Sequence, residues 1–336
     1  MTKNIFTGLA GLYGLMLLVY LVLRFLLPVS PWWLAFLHNF TPYYFLPLLV
    51  LIPLLWLMRA RRMAARLLPL LLIGLLLYAP RWLPQPAVRA AEARTLRVVT
   101  FNVLILTDEY ATITDWLRTA DADVVLLQEV DGQESTQIFD ALSDLYPHTV
   151  DLEGTTVIAL SRYPVVEQAL VDLGSWYVDR FVLAIDGAPV AVYNVHMHMP
   201  LLNEPRFPFT VNNGMVQLAL QYDETHRNQL IRRLLDLLAA EPLPYIVAGD
   251  FNTGDNTPIY GEMAALLHDS YREAGIGLGN TWPASIGDDE VPAMIPPMLR
   301  IDYVWHSADL RAVAAAVGPD LSSDHLPVIT TLAVRE

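Results

Sequence analysis

The chain has 336 residues, of which 54% are apolar, and a formal net charge of −14. Its mean hydropathy of +0.38 exceeds what a purely soluble globular protein normally carries. It contains no cysteine, which excludes disulfides, thiolate metal sites and thiol nucleophiles, so any metal must be held by oxygen or imidazole.

The apolar excess is concentrated before Pro84, where long apolar runs contain almost no acidic residue. Residues 5–27 form a run of 23 residues interrupted only by Arg24, which is long enough to cross a hydrocarbon core of about 30 Å. Residues 43–58 and 67–82 are shorter, but aromatic and arginine flanks extend both into the membrane interfaces. We therefore predict a multi-pass membrane anchor of about three transmembrane helices in residues 1–84.

Two other interpretations of these runs are weaker. A cleavable signal peptide fits less well, because the first run is long, lacks a small-residue cleavage site and is followed by two more apolar runs. Helices buried in a soluble core remain the alternative. The Pro/Ala/Arg segment before Thr95 is interpreted as a short linker, at residues 85–94.

Basic residues predict the orientation in the cell membrane. With three spans the two sides tie at five Lys and Arg each, but four arginines are packed into the short loop predicted at 59–66. Such a stretch is hard to translocate, so we place it in the cytoplasm. The rest of the chain is then predicted to be extracytoplasmic.

After Arg94 the composition is that of an ordinary folded domain. From Thr95 onward the chain has 12 Arg, no Lys and 34 Asp plus Glu, which gives a net charge of −22. Affinity for duplex nucleic acid normally comes from Lys and Arg that displace counterions from phosphates. The acidic domain therefore disfavours duplex nucleic acid as a partner, and the sequence indicates no protein partner.

Short β-branched runs alternate with amphipathic stretches along this domain. Strands are predicted at residues 96–102, 123–129, 155–161, 181–185, 189–196, 244–252, 301–305 and 326–334. Helices are predicted at residues 110–119, 134–145, 224–240 and 259–267. This alternation predicts a layered α/β sandwich.

Polar side chains recur where these apolar runs begin or end. They are Asn102, Glu129, His196, Asp250, Asn252, Asp302, Asp324 and His325. Each has an ordinary structural explanation as a turn former, cap or packed partner, but a shared site explains all of them together. Carboxylate and amide oxygens suit Mg²⁺ or Mn²⁺, and two histidines can polarise phosphoryl oxygens or move protons.

Six motifs carry a resemblance to a known family. In chain order they are TFNV, LLQEV, NVHM, AGDFN, RIDYVW and SSDHLP, and RNQL at residues 227–230 is similar to the Arg-x-x-Gln helix start common before GDFN. Over roughly residues 95–336 the chain resembles the endonuclease/exonuclease/phosphatase (DNase-I-like) superfamily. The resemblance implies a four-layer α/β/β/α sandwich (α+β) with two central mixed sheets, and a Mg²⁺-dependent phosphoester hydrolase site at one sheet edge.

The resemblance also implies a metal site. Glu129 would be the main metal ligand, and Asn102 beside it would orient the ion or a phosphoryl oxygen. Asp324 would assist the metal. Several nuclease branches have an Asp two residues after the first Asn, where this chain has Leu104, so a second metal ligand is in doubt.

Catalytic roles follow in the same way. Asp250 and Asn252 would position or activate the attacking water and hold transition-state oxygens. His325 would act as acid, base or electrostatic clamp on the scissile phosphate, with Asp302 fixing its tautomer. His196 matches a second phosphate-facing histidine of the DNase-I-like and sphingomyelinase-like branches.

The sequence therefore predicts a membrane-anchored phosphoesterase that acts on a phospholipid-like or small phosphodiester substrate. A membrane-tethered Mg²⁺-dependent nuclease is one alternative, and a non-catalytic phosphate-binding sensor module is another. The apolar segment 197–226 is either a lip that contacts lipid or a packed insertion. Trp282 is either a substrate platform or a core anchor.

Overall fold

The computed structural model describes residues 2–27, 30–83, 94–105, 110–203, 216, 218–284 and 296–334. The chain divides into two compact units, Met1–Leu83 and Pro84–Glu336. Of the linker predicted at residues 85–94, only Arg94 lies within the described residues.

The described part of the first unit is helical. Its α-helices are α1 (Thr2–Leu26), α2 (Trp32–His38), α3 (Leu46–Leu57) and α4 (Arg61–Tyr78), with 3-10 segments at Thr41–Phe45 and Ala79–Trp82. By length and composition, Lys3–Leu26 and Arg61–Trp82 could each cross a membrane. A third span would have to combine Trp32–His38 with Thr41–Leu57, which are bent by 77° relative to each other.

The arginine-rich stretch of the first unit differs from the prediction. Arg61, Arg62 and Arg66 lie inside α4, because the stretch contains alanine and methionine and no glycine or proline that would delay the helix. The connection from α3 is reduced to residues 58–60, with Arg59 in the left-handed region at φ +59°. The predicted loop 59–66 is thus mostly the first two turns of a helix.

The helices of the first unit are apolar on their outer and inner faces. Leu34, Leu48 and Leu55 are fully buried in a shared core. On the outside, Phe25 is 80% exposed and Leu76 is 77% exposed. A helix that is apolar all round is typical of apolar surroundings, so the composition of this unit is compatible with a membrane anchor.

The second unit contains two six-stranded sheets. The first has the order β11-β12-β1-β2-β4-β3 and the second β5-β6-β7-β8-β10-β9. The strands are β1 (Thr95–Asn102), β2 (Val124–Gln128), β3 (His148–Asp151), β4 (Val157–Ser161), β5 (Val165–Asp172), β6 (Tyr177–Ile185), β7 (Ala188–His196), β8 (Tyr245–Asp250), β9 (His268–Asp269), β10 (Asp302–His306), β11 (Leu310–Val317) and β12 (Val328–Val334). The pairs β1/β2 and β7/β8 are parallel and the others antiparallel, so both sheets are mixed.

Helices cover the outer face of each sheet. They are α5 (Tyr110–Ala120), α6 (Gly132–Leu142), α7 (Thr225–Leu238) and α8 (Pro258–Leu266), whereas the short α9 (Ser270–Ala274) contacts strands β10 and β11 of the two sheets. One core lies between the sheets, a second packs α5 and α6 on the first sheet, and a third packs α7 and α8 on the second. The predicted four-layer α/β/β/α sandwich with two central mixed sheets is confirmed.

The strands that the sequence analysis did not predict are β3, β5, β9 and β11. These four strands form the two edges of each sheet. Central strands are buried on both faces and read as continuous apolar runs, whereas an edge strand such as β5 is largely exposed and β11 is rich in alanine. The hydrophobic pattern therefore identifies the middle of each sheet and not its edges.

Candidate active site

Strand register brings the predicted catalytic residues to one end of the two sheets. His196 at the end of β7 is the direct partner of Asp250 at the end of β8. Asp302 at the start of β10 pairs with the same Asp250 from the other side. In the first sheet, Asn102 pairs with Gln128, and Glu129 follows immediately.

Gly249 allows this close arrangement of strands. It has φ +142°, and a Cβ added there would lie 1.8 Å from the carbonyl oxygen of Val195 on β7. Only a residue without a side chain fits this position. The glycine of the AGDFN motif is therefore a packing requirement that sets Asp250 beside His196.

One oxygen of Asp250, Oδ2, lies at the centre of the cluster. Asn102 Nδ2 and Asn252 Nδ2 each donate to it at 3.2 Å. His325 Nε2 is 3.7 Å away and His196 Nε2 is 3.9 Å away. Side chains from both sheets thus meet at a single carboxylate oxygen.

Glu129 lies next to this centre in a strained backbone conformation, at φ +58°. Its Oε1 accepts from Asn102 Nδ2 at 2.8 Å and is 3.5 Å from His196 Nε2. Asn102 Nδ2 therefore connects the carboxylates of Glu129 and Asp250. The other amide atom, Asn102 Oδ1, accepts from the backbone N–H of Leu104 at 3.1 Å, so the position that holds Asp in several nucleases contributes a backbone donor here.

His325 is held by Asp302. The distance from His325 Nδ1 to Asp302 Oδ2 is 2.9 Å, which leaves Nε2 facing Asp250. The loop is fixed by Ser323, whose Oγ accepts from the His325 backbone N–H and donates to the carbonyl oxygen of Asn102. This geometry gives the imidazole one orientation.

Asp324 has a buried partner that decides the role of Trp282. The indole Nε1 of Trp282 donates to Asp324 Oδ2 at 3.1 Å, and Trp282 is only 5% exposed. Trp282 is therefore buried and positions Asp324, which favours the core anchor over the substrate platform. The other oxygen, Asp324 Oδ1, lies 3.9 Å from His325 Nε2.

The two histidines have opposite electrostatic environments. Burial lowers the pKa of His325, but Asp302, Asp324 and Asp250 outweigh it and hold that pKa well above the ordinary value. Burial lowers the pKa of His196, which the nearby Glu129 only partly opposes. One imidazole is thus charged and the other neutral at neutral pH, a difference that separates their chemical roles.

The carboxyl groups of Asp250 and Glu129 also have pKa values shifted in opposite directions. Burial raises the pKa of Asp250, with His325 opposing and Asp302 reinforcing the shift. Burial would also raise the pKa of Glu129, but His196 and the Asn102 hydrogen bond outweigh it and lower that pKa. Glu129 is therefore the carboxylate most easily kept ionised, whereas Asp250 readily accepts a proton.

The carboxylate and amide oxygens of the cluster are suitable ligands for a hard divalent cation. Among the described residues, ligand atoms of Asp250, Asp302 and His325 lie within 4.8 Å of one another. Asp302 Oδ1 is buried and has no hydrogen-bond partner within the described part of the chain. This compact group differs from the predicted ligands Asn102, Glu129 and Asp324, whose assignment to the metal stays a prediction.

Sequence reasoning assigned no role to Arg227, although it begins the RNQL motif. Its side chain is 1% exposed, and Nη1 donates to the carbonyl oxygen of Asn252 at 2.5 Å. Glu224 and Asn228 hold the other guanidinium nitrogens. Arg227 therefore supports the turn that carries Asn252, and an Arg in an otherwise apolar helix face was the signal in the sequence.

The apolar segment 197–226 lies partly outside the described residues, which lack 204–215 and 217. Within its described part, Met197 is buried and packs in the core beneath the second sheet. Leu202 and Leu220 are exposed. The described residues thus include both packed and exposed apolar side chains.

A family model described as "Endonuclease/Exonuclease/phosphatase family" matches residues 99–325. Comparison with curated protein sequences gives no match. The matched range 99–325 includes every site residue predicted from the sequence.

Solved structures share the fold at low sequence identity. An endonuclease/exonuclease/phosphatase from Beutenbergia cavernae DSM 12333 is 23% identical, covers 72% of each chain and has a TM-score of 0.53. Sphingomyelinase C from Streptomyces griseocarneus is 18% identical over 72% of this chain and 100% of its own, with a TM-score of 0.50. A mannosyl-6-phosphatase from Bacteroides thetaiotaomicron VPI-5482 is 17% identical over 70% of this chain and 99% of its own, with a TM-score of 0.52.

Proposed function

Because the chain belongs to the endonuclease/exonuclease/phosphatase family, we propose that it is a membrane-anchored phosphoesterase that requires a divalent cation, Mg²⁺ or Mn²⁺. The observation that carries this proposal is the convergence at Asp250 Oδ2, within 3.9 Å of two histidine nitrogens and 3.2 Å of two amide nitrogens. Ionisable groups with shifted pKa values that meet at strand ends are characteristic of a catalytic site.

Each residue of the site has a separate role in the proposed hydrolysis. Asp250, whose pKa is raised by burial, accepts a proton from the attacking water, and the Asn252 amide orients that water. The water oxygen bonds to phosphorus as the bond to the leaving alkoxide breaks, and the alkoxide takes a proton from solvent. The charged imidazole of His325 pairs with a phosphoryl oxygen, while neutral His196 contacts a second one.

A cation held by Glu129, with Asn102 and Asp324 beside it, would supply neutralisation of the charge on the phosphoryl group. Glu129 suits this task because its pKa is lowered, mainly by His196 and Asn102 acting against burial.

For the substrate we propose a phospholipid-like or small phosphodiester. Two features of the chain support this choice, namely the apolar helices of Met1–Leu83 and a domain charge of −22 that repels duplex DNA. The relative named sphingomyelinase C shares the fold. We propose further that the anchor is multi-pass and that the second unit faces away from the cytoplasm.

The test uses the full chain in detergent with bis-p-nitrophenyl phosphate and added Mg²⁺ or Mn²⁺. We expect metal-dependent release of p-nitrophenolate that EDTA abolishes and that Glu129→Ala reduces at least about 100-fold. Glu262→Ala, which removes an exposed partner of Arg232, is the matched control and should keep full activity. Unchanged turnover in Glu129→Ala would contradict the assigned site.

A substrate panel separates the alternatives. Sphingomyelin, phosphoinositides and DNA are supplied in parallel with the same variants. Degradation of plasmid or single-stranded DNA at low salt, without lipid hydrolysis, would favour the nuclease. Phosphate binding with no turnover of any ester would favour the sensor module.

A further inference from the structure

A cavity of about 270 Å³ lies beside His196. Its walls come from the β3–β4 loop, including Thr155 and Thr156, and from residues 175–177 at the start of β6. His196 Nε2 is 3.5 Å from Glu129 Oε1. A group attached to a phosphate in the catalytic cluster could therefore reach this cavity.

A buried acid lies on β6, the strand whose first residue lines the cavity. Asp179 is 1% exposed, and within the described chain neither of its carboxylate oxygens has a hydrogen-bond partner of ordinary geometry. Residues two apart on a strand share a face, so Asp179 lies on the same face of β6 as Tyr177, which lines the cavity. An unpaired buried carboxylate is costly unless a partner arrives.

The surroundings of Asp179 destabilise its negative charge, which a bound cation would offset. Burial raises its pKa to about 7, the nearby Thr155 hydroxyl opposes this, and Asp151 on β3 reinforces it. No Arg or Lys is among the described residues that line the cavity. Arg233, which approaches the turn at Gly174, donates to the carbonyl oxygen of Leu173.

Two aromatic side chains complete the cavity. Trp176 is held in place because its indole Nε1 donates to the carbonyl oxygen of His196 at 2.6 Å. Tyr177 is 49% exposed and lines the opening. Aromatic faces combined with an acidic group are the surroundings that bind ammonium ions.

We propose that this cavity binds an ammonium group carried by one alcohol of the phosphate ester, as in a choline or ethanolamine ester. The assignment rests on the proposed phosphoesterase function and specifies its substrate class. A polyol is the competing occupant, because Thr155, Thr156 and Ser175 bear hydroxyls. Ser175 Oγ already shares a hydrogen bond of 2.9 Å with His226 Nε2, and a polyol would leave the Asp179 charge uncompensated.

The experiment compares two substrates of one shape in the full chain in detergent. One is p-nitrophenyl phosphorylcholine, and the other is the p-nitrophenyl ester of 3,3-dimethylbutyl phosphate, which lacks the positive charge. We expect kcat/KM to be about tenfold higher for the choline ester. Asp179→Asn and Tyr177→Ala should each bring the ratio close to one, whereas the exposed control Asp140→Asn should keep it.

A binding measurement keeps the outcome independent of turnover. Phosphocholine and 3,3-dimethylbutyl phosphate are titrated into the same proteins by calorimetry, and thermal unfolding checks that each variant is folded. The ammonium site would be overturned if the parent protein showed equal kcat/KM for the two p-nitrophenyl esters and equal affinity for phosphocholine and 3,3-dimethylbutyl phosphate. This holds even if bis-p-nitrophenyl phosphate is hydrolysed. Absence of bis-p-nitrophenyl phosphate turnover with preferential phosphocholine binding would overturn the enzymatic function and support the site.

The source of the ammonium group is resolved in the same assay. Glycerophosphocholine supplies it in solution, and vesicles of phosphatidylcholine or sphingomyelin supply it at a lipid surface. Hydrolysis of either supports the proposal and identifies the source. Faster hydrolysis of inositol or glycerol esters than of both choline sources would overturn it in favour of a polyol.

Discussion

Asp250 is surrounded by groups that shift its protonation equilibrium in opposite directions. Its Oδ2 accepts from two amides, while its Oδ1 accepts from the backbone N–H of Asn252 at 2.7 Å. Burial and Asp302 favour the protonated form, and His325 favours the ionised form. A carboxyl group balanced in this way is suited to accept and release a proton during one reaction cycle.

His325 should be essential for turnover and dispensable for folding. His325→Ala removes the charged imidazole, and we expect kcat to fall by about 10² to 10⁴. Steady-state kinetics measure the loss, and the thermal midpoint checks the fold. His268→Ala, on the edge strand β9, is the control histidine; an equal loss in both variants would show that the effect is not local.

Asp302→Asn should show whether Asp302 acts on His325 by orienting the imidazole ring or by its negative charge. In the parent protein, His325 Nδ1 lies 2.9 Å from Asp302 Oδ2, and the asparagine amide can keep this contact. The substitution removes a negative charge that raises the pKa of His325. We expect an intermediate loss of kcat, smaller than in His325→Ala. A variant as active as the parent would show that Asp302 does not act through the imidazole.

Asp179 makes stability depend on pH. Burial raises its pKa from 3.8 to about 7, so the folded protein keeps a proton that the unfolded chain loses in this range. The stabilising effect of that proton is complete below about pH 4 and is lost as pH rises through 7. Asp179→Asn should therefore raise the thermal midpoint more at pH 8 than at pH 5, and an equal gain at both would contradict the shift.

At the scale of elements, the parallel pair β7/β8 fixes the site, because it places His196 opposite Asp250. This pairing requires the close approach at Gly249 described above. The antiparallel partner β10 then adds Asp302 on the other side of Asp250. Three neighbouring strands thus supply three side chains of the candidate site at one end of the sheet.

Gly249→Ala should disrupt this pairing. Its Cβ would lie 1.8 Å from the Val195 carbonyl oxygen, and its φ of +142° is unfavourable for alanine. We expect a loss of stability on the order of 2 to 4 kcal/mol, seen as a lower thermal midpoint. Gly187→Ala is the matched control, since Gly187 has φ +88° but open space around the added Cβ; similar losses would show that strain and not the clash decides.

At the scale of the whole molecule, the chain joins an apolar helical unit to a strongly acidic domain. The segment between them has ten residues outside the described chain, 84–93.

Orientation can be measured directly because the chain has no cysteine. A single cysteine at Asp140, which is exposed on α6, should react with a membrane-impermeant maleimide in intact cells. A single cysteine at Arg59, between α3 and α4, should react only after the cells are opened. The reverse pattern would place the second unit in the cytoplasm.

The motifs near buried strand ends allowed most of the site to be predicted. Asn102, Glu129 and Asp250 stand out in sequence because each interrupts an apolar run. Arg227 and Asp179 were not predicted as functional, because their importance depends on what surrounds them after folding. The buried Arg227 shows in the local pattern only as an Arg on an otherwise apolar helix face, and the buried Asp179 carboxylate on β6 has no signature there.

The sequence by itself determined the two-part organisation, the central strands and the residue types of the site, since hydropathy and strand-end polarity are local properties. Only the tertiary structure decided which strands form the edges, which oxygen the site residues share, and that Trp282 holds Asp324. These features depend on contacts between residues far apart in the chain, such as the 148 positions that separate Asn102 from Asp250. Such contacts exist only when register and packing bring distant segments together.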